Sequence, residues 1–295
     1  MTSPRPDWAA TLIDLVALAA RLETEGQYNI AKLARAAADA LARQAGRPQD
    51  LPTDKERLSA AVAGAADSAQ QLGVGDDLAA ALAVGASALA AGRLTHIDET
   101  PNPWVCRTCG FVTLLQPAAP CPRCGAWPET FQQFPPVYWL NDLEPFAAIA
   151  RLRQTPQAIA AVIEGVDDAI LDRKPEAGGW SVQQALGHLR DAQGVLDHRM
   201  TLILDHDNPE LASLAVFEWA NQATEKPPTA REVFASYRAG REKLLARLEA
   251  LPLAAWWRTG RHEEFGVVTL RQQISYFAAH ESTHMHQIQA LAMGG

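Results

Sequence analysis

The sequence predicts a mainly α-helical chain with a helical N-terminal domain, a small metal-stapled module in the middle and a C-terminal four-helix bundle. Three observations carry this expectation. Long amphipathic segments opened by capping boxes dominate the last 160 residues. All four cysteines fall within 19 residues, in a stretch that holds eight of the nineteen prolines. The first hundred residues are rich in alanine and leucine at helical spacing. The resulting division is 1–100, 101–136 and 137–295.

In a capping box, a Ser or Thr and a Glu or Gln three residues later satisfy free backbone donors at a helix start. Four occur: Thr53 with Glu56, Ser181 with Gln184, Thr229 with Glu232, and Thr269 with Gln272. In the C-terminal part, helices are expected at 143–172, 181–205, 229–250 and 269–292. Pro175 and Gly178–Gly179 separate the first two, and Pro227–Pro228 precedes the third. The connection 206–228 is long, with a short helix expected around Phe217 to Asn221. Four helices of this length make a bundle the natural architecture. In the first hundred residues the expected helices are 7–22, 27–45, 53–72 and 77–91. Gly46 with Pro48, Gly73 with Gly75, and Gly92 mark their ends. That segment has a single histidine, His96, and no Glu-x-x-His pair for a di-iron centre. A packing or docking role is expected for it.

Composition excludes some functions. A formal charge of −8 and a pI near 5.5 argue against a nucleic-acid-binding surface. No apolar run reaches the roughly 18 to 20 residues that span a bilayer, and MTSPRPDWAA has no basic lead into an apolar stretch. A cytoplasmic protein without membrane or nucleic-acid partners is therefore expected.

The middle segment reads Trp104-Val-Cys106-Arg-Thr-Cys109-Gly110, then ten residues, then Cys121-Pro-Arg-Cys124-Gly125-Ala126. Two Cys-x-x-Cys loops present four thiolates to one ion in tetrahedral geometry. Gly110 and Gly125, each after the second cysteine of its pair, suit the positive φ of such knuckles. Trp104 to Gly110, Cys121 to Ala126 and Phe131 together resemble the rubredoxin-like module of rubrerythrins. The resemblance implies an iron site that shuttles one electron; the ligand set takes zinc as well. Because the first hundred residues offer no di-iron partner, a structural or peripheral role is favoured.

The last helix carries the stripe Leu270, Ile274, Phe277, 280, 284, Ile288 and Leu291, its core-facing side. Positions 280 and 284 are both histidine. Imidazoles one turn apart on an inward face cost desolvation unless something satisfies them, and an i, i+4 pair can direct both rings at one ion. Gln287 is on the same side and can bond a ligand or bound water. On the second bundle helix His188 edges the stripe Val182, Ala185, Leu189, Ala192 and Leu196, with small residues at −3 and +4 leaving room. Asp191 is a candidate to orient its imidazole. His198, His206, His262 and His286 read as solvent-facing or loop-borne.

Gly179-Trp180-Ser181-Val182 with Gly187-His188-Leu189-Arg190-Asp191, and the ending His280-x-x-x-His284-x-x-Gln287-Ile288, resemble the second and fourth helices of DinB-like domains. Asp207 to Glu210 and the helix holding Arg241 fit the same layout, so the resemblance spans about 143–292. It implies a four-helix bundle whose His188, His280 and His284 bind a divalent ion, zinc or nickel. Three protein ligands leave a coordination position open to water or a thiolate. The resemblance further implies a metal-dependent hydrolase or thiol-group transferase. The expected partners are a small-molecule substrate, with a low-molecular-weight thiol among the candidates, and a second copy of the chain. Trp219, Tyr237 and Arg241 are candidates to line the pocket. The alternatives are a redox or stress-response protein with an electron-carrying iron, and a scaffold with two structural metals.

Overall fold

Ser181, Thr229 and Thr269 each cap a helix as their sequence context demands. Their hydroxyls accept from the backbone N–H of Gln184, Glu232 and Gln272, and those side chains reach back to the cap N–H. The computed structural model describes residues 7–45, 54–136, 142–175, 179–213 and 228–293. They fall into two units, Met1–Thr95 with Glu99–Gln133, and His96–Asp98 with Phe134–Gly295.

The first unit contains α1 (Trp8–Thr24), α2 (Tyr28–Ala45), α3 (Lys55–Gln71) and α4 (Asp76–Ala90). The helices pair as α1 with α2 and α3 with α4. Small Ala19, Ala31, Ala34 and Ala38 in the first pair, and Ala66, Ala79 and Ala86 in the second, are buried, which lets the helices approach closely. The start of α3 differs from expectation: Asp54 is its cap, accepting from Arg57 N–H at 2.9 Å, and Thr53 lies outside the described residues. A carboxylate at that position meets the same free donors with the dipole in its favour.

The same unit holds β1 (Trp104–Cys106), β2 (Val112–Thr113) and β3 (Phe131–Gln133). They form an antiparallel sheet in the order β2-β1-β3. Phe111 and Phe131 meet edge to face at 6.4 Å, beside the buried Cys106 and Cys121.

The second unit is a bundle of α5 (Pro145–Ile163), α7 (Val182–Asp205), α8 (Ala230–Glu249) and α9 (Leu270–Ala292), with a short α6 (Asp168–Asp172). The expected helix 143–172 is thus two. Gly165 adopts φ +73°, which ends α5, and Asp167 caps α6 by accepting from Ala169 N–H at 2.8 Å. A small sheet also forms from β4 (Glu210–Leu211), β5 (Thr259–His262) and β6 (Gly266–Thr269). β4 runs parallel to β5, and β5 pairs antiparallel with β6. It lies in stretches where no strand was expected. The short helix expected near Phe217 to Asn221 lies outside the described residues.

The bundle interior has two apolar clusters. One centres on Leu152, Met200, Ile203, Trp256 and Ile274; the other on Ile159, Leu186, Leu189, Phe234 and Ile288. A buried polar network adds to them, with Arg241 1% and Glu281 0% exposed. Arg241 engages both Glu281 oxygens, the Gln193 side chain at 2.7 Å and the Tyr237 hydroxyl at 3.0 Å. Tyr237 in turn donates to Glu281 at 2.7 Å. Pro156, inside α5, cannot donate to the carbonyl of Leu152 four residues before it. Arg241 donates to that carbonyl at 2.6 Å. Tyr237 and Arg241, read from sequence as pocket-lining, are therefore buried in a network that ties all four helices together. Trp219 is outside the described residues.

Candidate metal centres

Among the described residues, two groups of side chains gather ligand atoms within 4.8 Å of one another: Cys106, Cys109, Cys121 and Cys124, and His188, His280 and His284.

In the cysteine group the pairs Cys106–Cys124 and Cys109–Cys121 have sulfurs 3.7 Å apart. A disulfide requires about 2.05 Å; four sulfurs around one ion at about 2.3 Å are separated by roughly 3.8 Å. The two loops are near-copies. Gly110 and Gly125 have φ +74° and +73°, as their places in the sequence require, and their N–H groups donate back to the carbonyls of Cys106 and Cys121 at 2.9 and 2.8 Å. Burial opposes ionisation of Cys106, yet N–H groups of Cys109 and Thr108 and the neighbouring thiols bring it down to about 6. The N–H of Ala126 favours the Cys124 thiolate, but desolvation and the other three thiols push it up to about 12. The spread is that of four converging sulfurs sharing too much negative charge for one another, the condition a cation relieves.

In the histidine group α7 supplies His188 and α9 supplies the other two, one turn apart. The Nε2 atoms of His188 and His280 are 3.2 Å apart, and those of His280 and His284 3.1 Å. Three nitrogens around one ion at about 2.0–2.1 Å are separated by roughly 3.3 Å. His284 Nδ1 lies 2.9 Å from Gln287 Oε1. A carbonyl oxygen only accepts, so Nδ1 carries the proton and Nε2 turns its lone pair towards the other rings. Trp180 closes one side, its ring stacked on His284 at 5.9 Å and tilted against His188 at 4.9 Å. Tyr276, one turn before His280, lies parallel to its ring at 6.2 Å. Neither aromatic was singled out as part of the site from the sequence, although Tyr276 shares a helix face with His280 at i, i+4 spacing. The Asp191 carboxylate is held by its neighbour Arg190 at 2.8 Å.

Burial, with the His284 and His188 rings adding to it, pushes His280 down to about 3. Burial also lowers His284, against the opposing bond to Gln287 and the charge of Glu281. Both rings are thus kept neutral, the form that ligates.

Of the remaining histidines, His198, His206 and His286 are exposed. His262 is not: it is on β5, 2% exposed, stacked on Phe265 at 4.5 Å and accepting at Nδ1 from Glu264 N–H at 3.1 Å. The unforeseen hairpin is what buries it. Burial first, then the Arg199 cation, hold it at about 3. An unfolded histidine titrates near 6.5, so as pH falls from there towards 3 the unfolded chain takes up protons that the folded chain refuses. Stability is then expected to decline with falling pH across that window, by at most about 1.4 kcal/mol per pH unit per imidazole. Urea midpoints of metal-stripped protein between pH 7 and 4 measure the slope. His262→Gln should flatten it by one imidazole's share, and an unchanged slope contradicts the assignment.

Residues 151–288 match the DinB superfamily. Among curated relatives, a protein of Oceanobacillus iheyensis is 25% identical over 52% of this chain and 83% of its own length. One of Bacillus mycoides is 27% identical over 48% and 82%, and one of Geobacillus thermodenitrificans is 35% identical over 25% and 42%. All three are provisionally named as metal-dependent hydrolases. Among solved structures, YfiT from Bacillus subtilis is described as a "probable metal-dependent hydrolase with an unusual four-helix bundle topology". It is 21% identical with a TM-score of 0.46, covering 52% of this chain and 89% of that one. The C-terminal part of this chain is a DinB superfamily domain.

Proposed function

We propose that the chain is a metal-dependent hydrolase whose divalent ion, zinc or nickel, is held by His188, His280 and His284, with the fourth position open. The convergence of the three rings, with His188 and His284 Nε2 each 3.1–3.2 Å from His280 Nε2, carries this reading, and the names of the relatives support it. An ion there would act as a Lewis acid, lowering the pKa of water or of a thiol. Gln287 holds the proton on His284 Nδ1, and Trp180 keeps bulk water off one side of the rings. Gln287 supports His284 from behind, so replacing it is expected to weaken metal binding or activity roughly 10- to 100-fold; the same effect is proposed for Asp191, whose carboxylate Arg190 holds. A small thiol in the open position would make the same site a thiol transferase. Assaying metal-loaded protein on ester and amide substrates, with and without added thiol, separates the two: turnover only with thiol supports transfer and overturns hydrolysis.

For the four cysteines we propose a second, independent ion, zinc or iron, in a rubredoxin-like module. The module, at 101–136, would stand between a packing domain at 1–100 and the bundle at 137–295, in a cytoplasmic protein. A redox role remains the second reading, favoured by the exposure of Cys124, which brings one sulfur of the site to solvent. Protein from iron-fed cells that absorbs in the visible supports it; colourless protein with tightly held zinc overturns it. Independence of the sites is directly testable. Cys106→Ser with Cys121→Ser should lower metal content from two ions per chain to one, because each set has its own ligands. Loss of both ions on elemental analysis contradicts it.

A further inference from the structure

A guanidinium is seldom buried without a partner, because its charge is expensive to desolvate. Arg199, half-buried, is only partly satisfied. It is on α7 eleven residues after His188, three turns along the same face. Its Nη2 donates to the Ala212 carbonyl at 2.6 Å, but its Nε is buried with no hydrogen-bond partner. Burial works against its charge, and Tyr276, Glu264 and Glu263 support it only through space. Those two carboxylates are turned to Ser213: Glu263 accepts from its N–H at 2.8 Å, and Glu264 is 3.5 Å from its hydroxyl.

A second unsatisfied donor lies on α9. Gln273 is 2% exposed, and its Nε2 has no partner either. It precedes His280 by seven residues, two turns along the same face. The helices run antiparallel, since His188 meets His280 while Arg199, further along α7, acts on Tyr276, earlier on α9. Both lone donors are therefore displaced from the histidines in the same direction. The Tyr276 ring, stacked on His280, lies between.

We propose that Arg199 and Gln273 form the anion-binding end of the substrate site, so that the substrate is a small molecule carrying an oxyanion, carboxylate or phosphoryl. The anion would be two to three helical turns, roughly 10–16 Å, from the three histidines. A planar fork of N–H donors suits either oxyanion bidentately, and a bound anion neutralises the half-buried charge, which a water molecule cannot. The identity of the group as part of a substrate rests on the reading of the histidines as a reaction centre; the binding of an anion does not.

The test titrates acetate and, separately, inorganic phosphate into the metal-loaded full chain, with chloride at matched ionic strength as reference, and follows the thermal unfolding midpoint. The wild-type midpoint should rise beyond the chloride response, and the more effective anion identifies carboxylate or phosphoryl. Arg199→Gln should need at least tenfold more anion for the same rise, and Gln273→Met several-fold more. His284→Ala should lose its ion yet keep the anion response, which separates this site from the metal reading. No rise in wild type beyond chloride, or an unchanged response in Arg199→Gln, overturns the proposal. Should Arg199→Gln fail to fold, Arg199→Lys keeps the charge and loses the fork; an unchanged response there overturns it equally.

Discussion

Replacing His284 with Ala is expected to strip the histidine site of its metal. Two imidazoles remain, and they hold a divalent ion poorly. The loss should exceed the roughly 10- to 100-fold that accompanies a change behind the ligands. The fold should persist, because the neutral, half-buried ring is stacked on Trp180 and holds no helix end. Its removal also leaves one fewer polar group in need of a partner. His286→Ala is the control: that side chain is exposed on the same helix and should leave metal content unchanged. Elemental analysis in the Cys106→Ser, Cys121→Ser background isolates the effect. If His286 proves essential and His284 dispensable, the assignment of the site fails.

Replacing Glu281 with Gln is expected to cost about 3–5 kcal/mol of stability, the toll of breaking a buried ion pair and leaving its cation uncompensated. Arg241 has no route to water at 1% exposure. Its remaining bonds, to Gln193, Tyr237 and the Leu152 carbonyl, are to neutral groups. Adding Arg241→Met to a Glu281→Leu chain should restore much of the loss, because the apolar pair removes the stranded charge. Urea unfolding at pH 7 gives both values. A cost below about 1 kcal/mol for Glu281→Gln contradicts a buried, unscreened pair.

Local signals were legible in the sequence. Three capping boxes and the glycines after Cys109 and Cys124 need only their neighbours to be interpreted, and the structure has them as expected. The inward face of α9 was legible from its period, which brought His280, His284 and Gln287 to one side. What stayed hidden needed partners distant in sequence. Glu281 is a charged residue one position off the stripe, and only Arg241 on another helix makes its burial tolerable. Pro156 gave no sign that its vacated carbonyl partner, on Leu152, would be taken by the same arginine. His262 seemed loop-borne because β5 and β6 are four residues each, too short to establish an alternating pattern. The break at Gly165 was obscured by apolar positions that continue on both sides of it.

The central claim is that His188, His280 and His284 hold one ion with a fourth position open. X-ray absorption at the metal edge, on the Cys106→Ser, Cys121→Ser protein loaded with a single equivalent of zinc, tests it most directly. Three imidazole nitrogens and one further light atom at about 2.0–2.1 Å are predicted, with imidazole scattering reduced in His284→Ala. A sulfur shell near 2.3 Å, or the same imidazole signal after His284 is removed, would contradict the account.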